Sequence, residues 1–496
     1  LYEKLAFALL DAGTVERSLR AFSLGLECLE GSSEFERMAL LHLGMSRAER
    51  LFGDRQAALT HVDEALRLLE SSPKSSVRYR ALVFKANLAT NVDDLPGLLA
   101  ILDEAERFEG EPDPGRLSRV HSMRAHALFI QGDFARARQE SQTAIDVAQQ
   151  GGDFVALAVN FNDAALIFEE EGDLKRAIEM CERARQLARE RLLTHAEVVA
   201  CINQALYLLL LGDVSAARAS VDPAIAAPTL DDQPLMAASA AAVGILIGLH
   251  QGDESFVAGL FDEALLEQIV SYGGGYALLA LMARAEMLFD QGRLREAQHA
   301  FATALTVVGT ATSDLWTLLW PGRFAAAEDL ARLRELMSPW AAKQPTSRGH
   351  AYLEFLDSHI ARAAGDENAA ARHAANAAAI FAELGYVLLE ASALELSGRR
   401  RDALETYRRA RAFGDVARLD RELAPRGRRD RRAVDLSDRE RQVAQLIGAA
   451  KSNKAIAAAL SISERTVENH VTSIFKKMGV ASRTELAARL VRGTGQ

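Results

Sequence analysis

"GDLKRAIEMCERARQL" occupies residues 172–187 and opens with a Gly-Asp pair that recurs along the chain. The pair or a close variant stands at Gly13-Thr14, Gly53-Asp54, Gly132-Asp133, Gly172-Asp173, Gly212-Asp213, Gly252-Asp253 and Gly292-Arg293. From Gly132 onward the step is 40 residues, and Asp93-Asp94 fills the gap between Gly53 and Gly132. Looser copies follow at Gly365-Asp366 and Gly398-Arg399. Five residues after most of these glycines comes an alanine: Ala58, Ala137, Ala177, Ala217, Ala297, Ala370, Ala403. Seven residues further on alanine recurs: Ala65, Ala144, Ala184, Ala224, Ala304, Ala377, Ala410. Glycine closes a helix by turning left-handed, and small alanine side chains let the next helix approach closely. Such a helix pair cannot bury its apolar face alone, so successive pairs stack.

The pattern predicts an all-α chain built mainly as an α-solenoid. Composition agrees: 49% hydrophobic, 25% charged, and only 11 Pro in 496 residues, which favours helix nearly throughout. The motif resembles the "GDxxxAxxxxxxAL" of the tetratricopeptide repeat, whose period is about 34 residues. A 40-residue step therefore implies longer helices. Residues 309–350 break the rhythm and hold all three tryptophans, Trp316, Trp320 and Trp340. They read as an irregular repeat whose tryptophans fill a wide joint, or as an effector or partner surface.

Several function classes find no support. Cys28, Cys181 and Cys201 show no CxxC spacing and read as reduced, buried thiols of a cytoplasmic protein rather than a metal site. The longest apolar run, 235–249, has 15 residues, short of the roughly 20 that a membrane span needs, so a buried helix is expected. No signal peptide is visible. No HExxH, GxSxG or GxxxxGK[ST] occurs, so no catalytic residue and no phosphate loop is assigned, and an enzyme is not expected.

Charge is divided unevenly. Residues 426–496 carry 15 Lys and Arg against 7 Asp and Glu, a net of +8, while the rest carries 43 against 61, a net of −18. A basic tail on an acidic body suggests that the tail meets a polyanion. Repeat-like sequence fades near Phe413. "ELAPRGRRDRRAVD", 422–435, is broken by Pro and Gly and holds five Arg. It reads as a solvated hinge, as an arm contacting the DNA backbone, or as both.

Four helical signals follow. Ser437-Asp438-Arg439-Glu440 is a capping box opening a helix toward Gly448. Ser452 or Asn453 caps a second helix ending near Leu460, and Ser463 caps a third that runs to Met478 and stops at Gly479. Ser482-Arg483-Thr484-Glu485 opens a last helix to about Val491. On the third helix Val467, Val471, Ile474, Phe475 and Met478 form one apolar face. Arg465, Glu468, Asn469, Thr472 and Lys476 stand opposite. A helix-turn-helix reader needs that arrangement: one side gripped, the other offered to the major groove. Arg439 and Glu440 read as capping and internal pairing rather than DNA contacts. His470 reads first as a half-buried histidine and second as a phosphate or base contact.

Residues 436–491, with "SNKAIA", "ISERTVENHV" and "KKMGVASRTEL" as their distinctive pieces, resemble the LuxR-type DNA-binding domain. Repeats followed by such a tail are similar to the large ATP-dependent LuxR-type regulators, relatives of the maltose-regulon activator. The resemblance implies Glu468, Asn469 and Thr472 toward base edges, where Asn can pair with adenine and Glu can accept from cytosine. It places Asn453, Lys454, Arg465, Thr466, Lys476 and Lys477 at backbone phosphates, contacts that position without specifying sequence. It also implies a homodimer on DNA through the last helix, 483–492. In those relatives a nucleotide-binding domain precedes the repeats. No cofactor is assigned to this chain, and ATP is expected only in a preceding domain of a longer protein, because Leu1 already lies within repeat sequence.

The expected organisation is a repeat domain at 1–415, a basic linker at 416–434 and a helix-turn-helix domain at 435–496. The expected function is a bacterial transcriptional regulator, read as an activator. Its partners are double-stranded promoter DNA, a second copy, and an effector or RNA polymerase, with no membrane. The alternative is a helical-repeat scaffold for protein segments, with the tail as one more interaction module.

Overall fold

The computed structural model describes residues 2–11, 14–52, 55–89, 94–108, 110, 113–227, 234–260, 263, 274–307, 323–344, 346–423, 438–448, 451–460 and 462–478. Every regular element among them is helical. The chain divides into two compact units, Leu1–Ala417 and Arg418–Gln496.

The first unit opens with α1 (Tyr2–Asp11), α2 (Val15–Glu27), α3 (Phe35–Phe52), α4 (Arg55–Leu68), α5 (Ser76–Ala89) and α6 (Leu95–Glu106). Five long helices follow: α7 (Pro114–Gln131), α8 (Phe134–Gly151), α9 (Phe154–Glu170), α10 (Leu174–Arg191) and α11 (Thr194–Leu210). Then come α12 (Val214–Ile225), α13 (Pro234–Gln251), α14 (Glu254–Leu260), α15 (Gly274–Asp290) and α16 (Leu294–Val307). The unit closes with α17 (Ala327–Ala341), α18 (Arg348–Ala363), α19 (Glu367–Leu384), α20 (Val387–Leu396) and α21 (Arg400–Arg409). From α7 to α12 each helix packs on the next. This is the tetratricopeptide-like solenoid expected from the 40-residue step, with helices α7 to α11 lengthened to 17 or 18 residues.

The Gly-Asp pair does two jobs. The glycines of the series among the described residues are left-handed, as at Gly132 (φ 86°) and Gly172 (φ 81°). The aspartate that follows caps the next helix: Asp133 accepts from the Arg136 amide, Asp173 from Arg176, Asp213 from Ala216, Asp253 from Phe256 and Asp366 from Ala369. Asp94 does the same at 2.8 Å from the Gly97 amide, so the gap in the glycine series keeps its cap. A cap contributes about 1 kcal/mol. The alanines after each turn are buried, Ala137, Ala144, Ala177, Ala184, Ala217 and Ala224 among them. Left-handed residues fall every twenty residues at Gly132, Gly152, Gly172, Leu192 and Gly212. The true period is thus one helix plus its turn.

The later helices return to the turns of the earlier ones. A side chain at Gly212 would meet Val387 at 2.7 Å, and one at Gly414 would meet the Leu249 carbonyl at 2.1 Å. Lys343 Nζ donates to the Ile130 carbonyl at 3.3 Å. His250 Nδ1 lies 2.6 Å from Asp415 Oδ2. Trp340, 5% exposed, fills this joint and donates to Glu170 at 3.4 Å. Trp316 and Trp320 lie outside the described residues.

Two expectations are modified, and a third, the buried helix at 235–249, is met. Cys181 and Cys201 are buried and free, but Cys28 is exposed at the end of α2. The helix α22 (Phe413–Leu423) runs through residues expected in the linker, because its strongly amphipathic sequence places Leu419 on a buried face. The remainder of the expected linker lies outside the described residues. The apolar run 235–249 forms the core of α13, with Val243, Ile245, Leu246 and Ile247 buried. Among the described residues no helix is long and apolar enough to cross a membrane.

Candidate nucleic-acid interface

The second unit holds three described helices beyond α22: α23 (Asp438–Gly448), α24 (Asn453–Leu460) and α25 (Glu464–Met478). Their core is Val443, Ala444 and Ile447 from α23, Ile456 and Ala457 from α24, and Val467 and Ile474 from α25. Leu446, Leu460, Ile462 and Val471 pack around it. The three helices are thus held by one small core, and α25 is gripped along its apolar stripe by both partners.

Local chemistry sets each helix start. Ser452, rather than Asn453, caps α24: its hydroxyl accepts from the Ala455 amide at 3.3 Å. Ser463 caps α25, accepting from the Thr466 amide at 3.1 Å. Its hydroxyl also bonds that of Thr466 at 2.7 Å. The turn between α24 and α25 is closed by the Ile462 amide donating to the Ala457 carbonyl at 3.0 Å.

Two polar ties fix the angle between helices. Arg439 donates to the Leu460 carbonyl at the end of α24 and to Gln442 at 2.9 Å. The Ser473 hydroxyl of α25 donates to the Glu440 carboxylate at 2.6 Å, and Glu440 is 4% exposed. Both residues therefore work inside the module. Ser473 drew no attention in the sequence, since its role depends on the crossing of α25 over α23.

The outer face of α25 carries Arg465, Glu468, Asn469 and Thr472, all exposed. Their spacing of three, four and seven residues puts them on one ribbon. At 15 residues the helix is about 22 Å long, and a major groove about 12 Å wide admits such a rod. Thr472 donates its hydroxyl to the Glu468 carbonyl at 2.9 Å, which leaves its oxygen free only to accept. Thr466 and His470 are half-buried, and Thr466 is engaged in the cap. Lys454 is exposed on α24, and Asn453 beside it is half-buried. Lys451, passed over in the sequence, is exposed just ahead of them. Lys476 and Lys477 belong to the last turn of α25, but their side chains lie outside the described residues, as do Ser437, Gly479 and the expected last helix. The structure thus brings Arg465, Glu468, Asn469 and Thr472 together, with Lys454 on the neighbouring helix.

Comparison with known proteins bears on this module. The profile of bacterial regulatory proteins of the luxR family matches residues 434–490. The spore germination protein GerE of Bacillus subtilis is 42% identical over 57 residues, which are 12% of this chain and 77% of GerE. A protein of Mycobacterium bovis described as an HTH-type transcriptional regulator is 37% identical over 95 residues, 18% of this chain. The chain spans only 11% of that mycobacterial relative's length. Among solved structures, the APC/C hetero-tetramer Cut9–Hcn1 aligns over 98% of this chain and 95% of its own, at 13% identity and a TM-score of 0.42, too distant to bear on function. The three-helix core, the capped outer helix, the profile match and the coverage of GerE agree: the chain belongs to the luxR family of bacterial regulatory proteins.

Proposed function

We propose that this chain is a sequence-specific DNA-binding transcriptional regulator whose α25 enters the major groove and whose helical repeats receive or transmit an effector signal to an activating output. The observation that carries the reading is the two-sidedness of α25. Val467 and Ile474 are fully buried, while Arg465, Glu468, Asn469 and Thr472 are exposed together. A helix fixed this firmly can present a polar ribbon with the precision that base reading demands.

The roles follow from chemistry. Asn469 pairs bidentately with adenine, Glu468 accepts from cytosine, and Thr472 accepts from a base donor. Arg465, Lys454, Asn453, Thr466, Lys476 and Lys477 meet phosphates, and Lys451 joins them. Residues 435–496 act as the DNA module, 416–434 connect it, and 1–415 form the sensing body. Two copies join through 483–492 and read two half-sites. This reading places the protein in the bacterial cytoplasm.

The test is a fluorescence titration of the full chain against labelled random-sequence duplex over a range of salt concentrations. Affinity falls steeply with salt. Arg465→Ala weakens binding on every sequence and lowers the salt slope by about 1. A salt-independent interaction, or an unchanged slope in the variant, removes Arg465 from the interface and favours the scaffold alternative.

A further inference from the structure

The strongest unassigned chemistry lies outside the DNA module, on the hairpin of α3 and α4. His42 Nδ1 and His61 Nδ1 are 3.2 Å apart, with ring centroids at 5.4 Å and planes at 35°. Both rings are half-buried, so solvent reaches them.

Their place in the repeat explains why the pair is unusual. His42 lies eleven residues before Gly53 and His61 eight after it. The same two positions around Gly132 hold His121 and Glu140, bonded at 2.7 Å. Around Gly365 they hold Glu354 and His373, bonded at 3.0 Å. In those repeats the slot across the hairpin is an imidazole–carboxylate pair. At α3 and α4 the carboxylate is replaced by a second imidazole, so two nitrogen donors converge with no anion between them.

We propose that His42 and His61 form a site for a divalent transition metal of the zinc class, bound by two imidazoles and completed by water. The geometry suits it. Two Zn–N bonds of about 2.0–2.1 Å at a tetrahedral angle place their nitrogens about 3.3 Å apart, close to the 3.2 Å observed. Burial lowers the pKa of both rings, and the neighbouring His61 lowers that of His42 further. Burial thus works against the charged form of each ring, and the neutral form is the one that ligates metal. Without metal, one ring donates its Nδ1 proton to the other. Binding requires that ring to carry its proton on Nε2 instead, a tautomer change with no net proton released. Among the described residues no group of three or more His, Cys, Asp or Glu side chains is placed to hold a metal ion, so the proposed site has these two protein ligands, with water or a further ligand to complete it.

The test is calorimetric titration of the full chain with Zn²⁺ beside His42→Gln and His61→Gln. Gln keeps a hydrogen-bonding group in the slot, and circular dichroism in EDTA confirms that each variant is folded. One equivalent of Zn²⁺ bound by wild type and lost in both variants establishes the site. No binding by wild type, or the same isotherm in the variants, overturns it. Protection of His42 and His61 from diethylpyrocarbonate by Zn²⁺, read by mass spectrometry on wild type, decides the same question without a variant, and absence of protection refutes it.

Discussion

Arg348 has no exposed surface, yet it is charged. Its guanidinium donates to the Glu170 carboxylate at 2.8 Å, to the Glu169 carbonyl at 3.1 Å and to the Glu169 carboxylate. It also lies 5.4 Å from the ring centres of Trp340 and Tyr352. Removing such a residue takes from two buried carboxylates the cation they share. Arg348→Ala is expected to lower the stability of the body by about 3–5 kcal/mol, read from the urea midpoint of its unfolding. A loss below about 1 kcal/mol would show that the two glutamates find another way to be neutralised. None of this was legible in the sequence, because Glu169 and Arg348 are 179 residues apart and meet only when α18 returns to α9. The Gly-Asp turns were legible, since a left-handed residue calls for glycine. The aspartates' capping role stood beside them and is a local signal of the same kind. Leu192, left-handed at φ 57° and 87% exposed, hides a turn that glycine would have announced.

At the scale of elements, α25 depends on how it starts and what it crosses. Ser463 satisfies the Thr466 amide, and Ser463→Ala is expected to cost the second unit about 1 kcal/mol. The thermal midpoint of a truncation to 418–496, compared with the same variant in it, gives the measurement. An unchanged midpoint would mean that the Thr466 hydroxyl takes over the cap. The two faces of α25 were readable from the spacing of Val467, Val471 and Ile474 against Arg465, Glu468 and Asn469. The helix starts were readable from serine chemistry. The ties that set the crossing angle, Arg439 to the Leu460 carbonyl and Ser473 to Glu440, were legible only as a tendency of Arg439 and Glu440 to pair internally. Their partners depend on tertiary geometry. The same holds for His42 and His61: each is an unremarked surface-helix histidine until the hairpin register brings them together.

Across the whole molecule, one architectural unit is used many times and a different one once. Stacked pairs account for the body, and their turns from Gly132 to Gly252 form the edge on which 340–415 packs. That packing follows from how far each pair rotates on the last, which no residue pattern states. The tail is built from other materials: short capped helices, a small aliphatic core and a positive balance of charge. On the proposed reading, this tail reads DNA sequence. The direct measurement is selection of duplexes from a randomised pool by the full chain, followed by titration of the selected and a scrambled duplex with wild type and Asn469→Ala. A selected site is expected to be bound at least about a thousandfold more tightly than its scramble, with about 1–3 kcal/mol of that preference lost in Asn469→Ala. Equal affinity for selected and scrambled duplexes would contradict it.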